Sequence, residues 1–157
     1  MSIRLSTAGI KLGYAVEATA GTRPTTSSSY TFLSEIKEIP EINPEPSQLE
    51  TTTLDETEYR TYIPGLKDMG SALGFLMNLT QDSKTAWETM VTASVTGKVA
   101  GKATWYVIQI PGITECVYFG GEPSSLGVPG ASVDAVLEAT GYVTPTTAPI
   151  WAAAPSA

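Results

Sequence analysis

The sequence predicts a mainly β protein, a β-sandwich or small barrel with one packed α-helix, and three observations support that prediction. The chain has 157 residues, about the length of one domain. Short alternating or β-branched stretches recur at close spacing, whereas a helical pattern occurs once. Glycine contributes 14 residues and proline 11, which is typical of a chain with many turns.

The first half of the chain contains two predicted strands. Residues 19–29 are small and polar, which predicts a loop. Tyr30–Ile39 alternates loosely and is predicted to be a strand that ends before the proline-rich stretch starting at Pro40. Gly70–Leu79 has a clear period of two and is predicted to be a strand. One face of that strand carries Leu73, Phe75, Met77 and Leu79.

One segment, Asp82–Val95, has the spacing of an amphipathic helix. Asp82 is predicted to be its N-cap, because a carboxylate there can accept from a first-turn amide. Gly97 is predicted to follow the helix, because glycine readily adopts the left-handed conformation that often ends one. The stripe predicted to be buried consists of Ala86, Trp87, Met90 and Val91.

Three further strands are predicted after the helix, because their residues are aromatic, β-branched or alternating. They are Ala103–Ile110, Thr114–Gly120 and Ser132–Val143. With the earlier elements they complete a predicted β domain over residues 1–144.

The last segment, residues 145–157, is rich in alanine and proline and is predicted to be a separate C-terminal tail. We expect its last ten or so residues to be poorly ordered or docked on a neighbouring molecule. Trp87 and Trp105 are interpreted as core residues, since they lie in apolar elements. Trp151 lies in the tail and either anchors it to another subunit or is exposed.

The residues that many enzymes use for catalysis are missing or isolated in this chain. Histidine is absent and Cys116 is the single cysteine, which excludes catalytic triads, Cys-His pairs, histidine or thiolate zinc sites and an internal disulfide. No glycine-rich phosphate motif is present. The carboxylates Asp55, Glu56 and Glu58 lie on one local segment and are interpreted as a solvated or partner-facing loop. We therefore expect no enzymatic activity, no metal and no cofactor.

Charge and hydropathy disfavour two further classes of protein. The net charge is −7, so a nucleic-acid binder that relies on a basic patch is disfavoured. No targeting segment is visible, and no apolar stretch approaches the ~20 residues of a spanning helix. We expect a soluble protein that is made in a cytosol and has no membrane anchor.

The most informative segment is predicted to be a long connection, at about residues 40–68. Loops of such length are usually functional or disordered, and the apolar content of this one argues against disorder. A second copy of the protein could cover its large apolar side chains, whereas folding of the loop onto its own sheet is the alternative. These side chains are Leu49, Leu54, Tyr59, Tyr62, Ile63 and Leu66.

This segment resembles the tail tube (major tail) proteins of long-tailed bacteriophages. The resemblance rests on LETTTLD at residues 49–55, YRTYIPGLKD at residues 59–68 and FLMN at residues 75–78. Less specific likeness, including the helix, extends over about residues 10–143. The tail after Thr144 departs from the family pattern.

The resemblance implies a structural protein with a tail-tube fold that assembles into stacked rings of about six copies. In that family the rings form a hollow tube, and the long loop reaches the adjacent ring. The implied location is the virion tail, assembled in the host cytoplasm. Implied partners are further copies and other tail proteins such as the tape measure and terminator, while DNA passes through without specific binding.

By this resemblance, an inter-subunit and inter-ring site is assigned to the central segment. Its residues are Leu49, Glu50, Thr51, Thr52, Thr53, Leu54, Asp55, Tyr59, Arg60, Tyr62, Ile63, Pro64, Gly65, Leu66, Lys67 and Asp68.

Two alternatives stay open at this point. One is another ring of the same fold lineage, a tail terminator or a contractile-type inner tube. The other is a carbohydrate-binding β-sandwich domain, which would need aromatic side chains exposed on one face.

Overall fold

A computed structural model describes residues 4–156 of the chain and confirms the predicted fold class. These residues are mainly β, with one α-helix packed on a curled, half-barrel sheet. Helix α1 spans Gln81–Val99, and a short 3-10 turn covers Ser27–Ser29. The strands are β1 Lys11–Val16, β2 Thr31–Phe32, β3 Ile36–Glu38, β4 Pro46–Glu50, β5 Tyr62–Lys67, β6 Leu73–Asn78, β7 Thr104–Gln109, β8 Glu115–Pro123, β9 Glu138–Pro145 and β10 Ile150–Ala153.

The described chain divides into two compact units. The sheet unit comprises residues 4–40 and 72–156 and contains α1 and every strand except β4 and β5. The hairpin unit comprises residues 41–71, in which β4 and β5 pair with each other. The segment predicted to be a long connection therefore contains a regular β-hairpin.

In the sheet unit, the strand order is β2-β1-β7-β8-β9-β6-β3, and every neighbouring pair is antiparallel. Strand β8 is shared, because residues 115–118 pair with β10 whereas residues 121–123 pair with β9. Between β9 and β10 the chain bulges, and the Thr147 hydroxyl accepts a hydrogen bond from the Gly120 amide at 2.7 Å. Strands β9 and β10 therefore pair with the same side of β8, one on each side of the bulge.

The first turn of α1 differs from the prediction, because its N-cap is Thr80 and not Asp82. The Thr80 hydroxyl accepts from the Ser83 amide at 3.1 Å, and the Ser83 hydroxyl accepts from the Thr80 amide at 2.8 Å. This reciprocal capping box satisfies two backbone donors at once. Asp82 instead lies within the first turn, where a negative charge is favoured by the helix dipole.

The predicted end of α1 is also wrong, because the helix continues through Gly97 to Val99. A Cβ at position 97 would come within 2.5 Å of the Val16 side chain, so this glycine allows the helix to approach β1 closely. The left-handed residue that follows the helix is Gly101, with φ of 75°.

Helix α1 packs on the sheet through a stripe at heptad spacing. The side chain of Trp87 is buried at its centre, and its indole N–H donates to the Ser124 carbonyl at 2.8 Å. Gly141 on β9 leaves room for that ring. Ala86 and Val91 of the predicted stripe are only half-buried. The buried stripe consists of Ser83, Trp87, Met90, Ser94 and Gly97.

A second apolar cluster in the sheet unit contains Tyr30, Val107 and Tyr118, together with Ala15 and Cys116. Burial raises the pKa of the Tyr30 hydroxyl and of the Cys116 thiol. Both groups therefore remain neutral at physiological pH, in keeping with a core position.

Polar and charged groups lie at the edge of this cluster. The Arg23 guanidinium stacks over the Tyr118 ring at 4.1 Å. Trp105 packs against the cluster half-buried, and its indole N–H donates to the Glu17 carboxylate at 2.8 Å. The core interpretation is thus confirmed for Trp87, whereas Trp105 is only partly buried at the edge of the core.

Two predicted strands are shorter than expected. The predicted strand Tyr30–Ile39 is interrupted at Glu35, whose φ of 65° breaks the extended conformation between β2 and β3. The predicted strand Ser132–Val143 begins only at Glu138, because Asp134 has a φ of 56° and the preceding segment forms a turn. The strands predicted at 70–79, 103–110 and 114–120 are confirmed as β6, β7 and β8.

The C-terminal tail is more regular than predicted. Residues 150–153 form β10 and pair with β8 of the same chain, so the prediction of poor order is wrong for them. Docking of the tail on a neighbouring molecule stays a prediction. Ser156 forms a parallel bridge with Thr26. Trp151 is exposed on β10. Within residues 4–156, no helix is both long and apolar enough to cross a bilayer.

Candidate inter-subunit surface

The hairpin unit has a register set by two pairs of opposed residues, Leu49 with Ile63 and Glu50 with Tyr62. Opposed residues lie on the same face of a hairpin, and successive pairs alternate between faces. Leu49 and Ile63 therefore lie on one face, and Glu50 and Tyr62 on the other. The register shifts near Pro46, where the strands form an irregular pair.

The threonine run extends the hairpin beyond its strands. The Thr51 amide donates to the Thr61 carbonyl at 2.8 Å, and the two hydroxyls of this pair lie 3.0 Å apart. The Thr61 amide then donates to the Thr52 hydroxyl at 2.9 Å. A backbone bond from Glu56 to the Thr53 carbonyl starts the turn at the tip. These side chains explain how a threonine-rich sequence forms an ordered connection.

No residue between positions 41 and 71 is buried. Leu54 at the tip is completely exposed, and Leu66 is 89% exposed. An isolated two-stranded hairpin is marginally stable in water, because it has no third element to cover either face. The large exposed apolar side chains of this unit are Leu49, Leu54, Tyr59, Tyr62, Ile63 and Leu66, the set identified in the sequence.

Most of the net charge of the chain lies in the hairpin unit. Residues 41–71 contain seven of the sixteen acidic residues and two of the nine basic ones, a net charge of −5 out of −7. Arg60 lies 3.9 Å from Glu50, a long and exposed ion pair. A hydrogen bond from the Thr53 side chain lowers the pKa of Asp55, so this carboxylate is charged at neutral pH. The tip is therefore both apolar and anionic.

All sixteen residues of the predicted inter-subunit site fall within the hairpin unit, which brings them together on one element. Strand β4 carries Leu49 and Glu50, and β5 carries Tyr62, Ile63, Pro64, Gly65, Leu66 and Lys67. The connection carries Thr51, Thr52, Thr53, Leu54, Asp55, Tyr59 and Arg60. Asp68 follows β5 and accepts a hydrogen bond from the Gly70 amide at 2.9 Å.

The sheet unit contains a surface pocket that the sequence did not indicate. The pocket, which we name the β7–β8 pocket, has a volume of about 270 Å³ at the turn between these strands. Its walls are mainly apolar, and its one charged lining residue is Lys11. Residues that contribute to the lining are Lys11, Ile110, Pro111, Ile113, Cys116 and Ala154. The lining comes from β1, the β7–β8 turn and the C-terminal segment, which are distant in sequence, so no local motif marks it.

Short strands border the curled sheet. Within residues 4–156, β2 has two residues, β3 has three and neither pairs with a further strand on its outer side. Unpaired edges offer backbone donors and acceptors to another chain. The same described residues contain no group of three or more acidic, cysteine or histidine side chains placed to hold a metal ion.

No protein-family model and no curated protein sequence matches this chain. Its fold is similar to that of a chain in a solved structure described as the cryo-EM structure of the anti-feeding prophage (AFP) baseplate, 6-fold symmetrised. The TM-score is 0.64, the sequence identity is 10%, and the match covers 98% of each chain. At this identity the likeness establishes the fold alone, over nearly all of the chain.

Proposed function

We propose that this protein is a structural subunit of a phage tail tube, which assembles into stacked rings and forms the conduit for DNA. The observation that carries the proposal is the hairpin unit, in which no residue is buried and six large apolar side chains are exposed. A surface of this kind marks an interaction site. A further copy of the same chain in an adjacent ring would cover it.

The comparison with known structures supports the same proposal. The matching chain comes from a prophage baseplate whose structure was symmetrised sixfold. Its match spans nearly the whole of both chains, which supports the coarser part of the proposal, a phage structural protein. We infer a ring of about six copies here, a closed cyclic assembly in which each subunit uses the same two surfaces.

The edges of the curled sheet support ring closure. Strands β2 and β3 are short and have no outer partner among residues 4–156. In a closed ring the edge strand of one subunit pairs with the edge strand of the next. No unpaired edge then remains to cause aggregation. The role is architectural, without catalysis, and the implied partners are other tail proteins in the virion. DNA would pass through the tube without specific binding, in keeping with a net charge of −7 per subunit.

Negative-stain imaging of the purified chain at high concentration tests the proposal. We expect stacked annuli for the wild type. Deletion of residues 54–60 removes the hairpin tip, including Leu54, but keeps β4 and β5, so we expect a folded protein that no longer stacks. Circular dichroism and thermal unfolding serve as the folding control. Stacking by the deletion variant at the wild-type concentration would contradict the role of the hairpin, and a wild type that stays monomeric would contradict the function.

A second candidate is a single ring of the same lineage, because the matching chain belongs to a baseplate. The same images separate the two candidates. Annuli that never stack favour the single ring, whereas long unsheathed tubes favour the tail tube.

A further inference from the structure

We propose that Leu54 at the hairpin tip of one copy inserts into the β7–β8 pocket of a second copy, and that Asp55 and Lys11 form an ion pair beside it. The inference rests on the proposed function, and it names the surface that receives the hairpin. It connects two features that no other part of the described structure explains, an exposed anionic tip and an open pocket with a cationic lining residue.

The pocket has the size and chemistry to receive an aliphatic side chain. Its volume is about 270 Å³, which exceeds the volume of a leucine side chain. Ile110, Pro111 and Ile113 supply apolar walls, and Ile113 is itself 38% exposed. A leucine side chain that moves from water onto these apolar walls gains the hydrophobic free energy of the surface that it buries.

The charge of the pocket matches the tip. Lys11 is the charged residue among those that line it, and its ammonium lies 6.0 Å from the centre of the Phe32 ring. Glu115 is adjacent to the lining residue Cys116 on β8, so its side chain points to the opposite face of the sheet. The pocket therefore presents a positive charge to an incoming ligand without a carboxylate among its lining residues.

The tip has the matching features in consecutive positions. Leu54 is completely exposed, Asp55 follows it, and Glu56 and Glu58 add further negative charge. The Thr53 side chain lowers the pKa of Asp55, so this carboxylate is charged at neutral pH. With a leucine and a carboxylate at adjacent positions, the leucine can contact the apolar wall of the pocket while the carboxylate lies near a lysine at its margin. Complementary charges of this kind set the register of an interface and speed its formation.

Disulfide trapping between two different variants tests the contact directly. Both carry Cys116→Ala, one also carries Leu54→Cys, and the other carries Ile113→Cys. After mixing under mild oxidation, mass spectrometry of the linked peptides measures the mixed dimer. We expect about tenfold more mixed dimer than with the control Leu66→Cys, which is 89% exposed on the same hairpin. Equal yields for the two, or no mixed dimer, would overturn the inference. Thermal unfolding of each variant confirms folding.

Charge exchange tests the ion pair in the full chain. We expect Lys11→Glu and Asp55→Lys each to raise the concentration needed for assembly by about tenfold, and the double variant to return to within about threefold of the wild type. Lys84→Glu, which makes the same charge change on α1, should have no such effect. A double variant no better than either single variant would overturn the ion pair.

The two proposals fail separately in these experiments. Wild-type stacking without a Leu54-specific disulfide overturns this inference and leaves the proposed function in place. A Leu54-specific disulfide in a protein that never forms rings supports the contact and overturns the tube. Absence of both overturns both.

Discussion

The sheet unit and the hairpin unit differ in how far their large apolar side chains are buried. In the sheet unit, Trp87, Phe75, Tyr106 and Phe119 have 0–1% of their surface exposed. In the hairpin unit, by contrast, the large apolar side chains such as Leu54 are exposed. The difference shows that one chain combines a core that is buried within a single copy with an element whose large apolar side chains are left exposed in a single copy.

The comparison also separates two kinds of residue by the effect of substitution. Substitution of a buried core residue in the sheet unit, away from the β7–β8 pocket and the edge strands, should change the free energy of unfolding and leave the assembly contacts intact. Residues in the hairpin unit should change assembly and leave the unfolding of the single chain nearly unchanged. Matched substitutions, one in the sheet unit and one in the hairpin unit, separate these two effects.

The largest effect is expected at Trp87. Trp87→Ala removes a buried ring that fills the space between α1 and β9 and leaves the Ser124 carbonyl without its donor. We expect a loss of about 3–5 kcal/mol in the free energy of unfolding, measured by urea denaturation. Leu54→Ala in the hairpin should change that free energy by less than about 0.5 kcal/mol. A Leu54 effect as large as the Trp87 effect would show that the hairpin tip belongs to a folded core.

The next largest effect on stability is expected at Gly141, which we compare with Gly65 of the hairpin. A Cβ at position 141 would lie 2.5 Å from atoms of the Trp87 ring, which is fixed by burial. A Cβ at position 65 would also come too close to a neighbour, the hydroxyl of Ser47, but that group is exposed and can rotate away. We expect Gly141→Ala to cost about 2 kcal/mol and Gly65→Ala less than about 0.5 kcal/mol. Similar thermal unfolding temperatures for the two variants would contradict this.

Much of the sheet unit could be predicted from the sequence, because its local patterns agree with its burial. Strand β6 has strict alternation, and β7 is aromatic and β-branched. Errors arose where tertiary contacts decide the structure. Gly97 suggested a helix end, but the helix continues because the glycine allows contact with Val16. Strand β10 was missed because its short sequence is stabilised by pairing with β8.

The residues of the candidate site could be predicted from the sequence, but their hairpin structure could not. The large apolar residues within charged sequence were identified as unsatisfied, and they are exposed. The hairpin was missed because β4 begins at Pro46 and β5 contains Pro64, residues that normally argue against a strand. Both are tolerated here because the described hairpin has two strands, each with one outer edge. The β7–β8 pocket had no signal at all, since its lining residues come together only in the fold.

A smaller, pH-dependent effect is expected at Glu17. Burial acts to raise the pKa of this carboxyl, but hydrogen bonds from the Trp105 indole and from the Gly21 and Ala103 amides outweigh it and hold the pKa below the ordinary value of 4.5. The stability from Glu17 is therefore complete above that value and is lost as the pH falls through the lowered folded-state pKa. Glu17→Gln places an amide donor against these N–H groups, and we expect a cost of about 1–2 kcal/mol at neutral pH.

Urea unfolding at about pH 7 and about pH 3 measures this effect. The difference between the wild type and Glu17→Gln should shrink at the lower pH, because the Glu17 carboxyl of the unfolded chain is then protonated and folding must remove that proton to form the charged hydrogen bonds. Glu50→Gln is the hairpin counterpart, since its ion pair with Arg60 is exposed, and it should change the unfolding free energy by less than about 0.5 kcal/mol. A Glu17 effect that stays constant with pH would show that its charge does not matter.

The smallest difference in the free energy of unfolding between the two units is expected for threonine substitutions at Thr80 and Thr51. Thr80→Ala removes the side chain that accepts from the Ser83 amide at the start of α1, and we expect a cost of about 1 kcal/mol in the free energy of unfolding. Thr80→Ser keeps the hydroxyl and should retain most of that stability. In the hairpin, Thr51→Ala removes an exposed cross-strand bond to Thr61 and should cost less than about 0.5 kcal/mol. Helix α1 covers the core of the sheet unit, so loss of the Thr80 hydroxyl lowers the free energy of unfolding of that unit. Strand β4 covers no core, so loss of the Thr51 hydroxyl leaves that free energy nearly unchanged. Equal costs at Thr80 and Thr51 would mean that the hairpin unfolds together with the sheet.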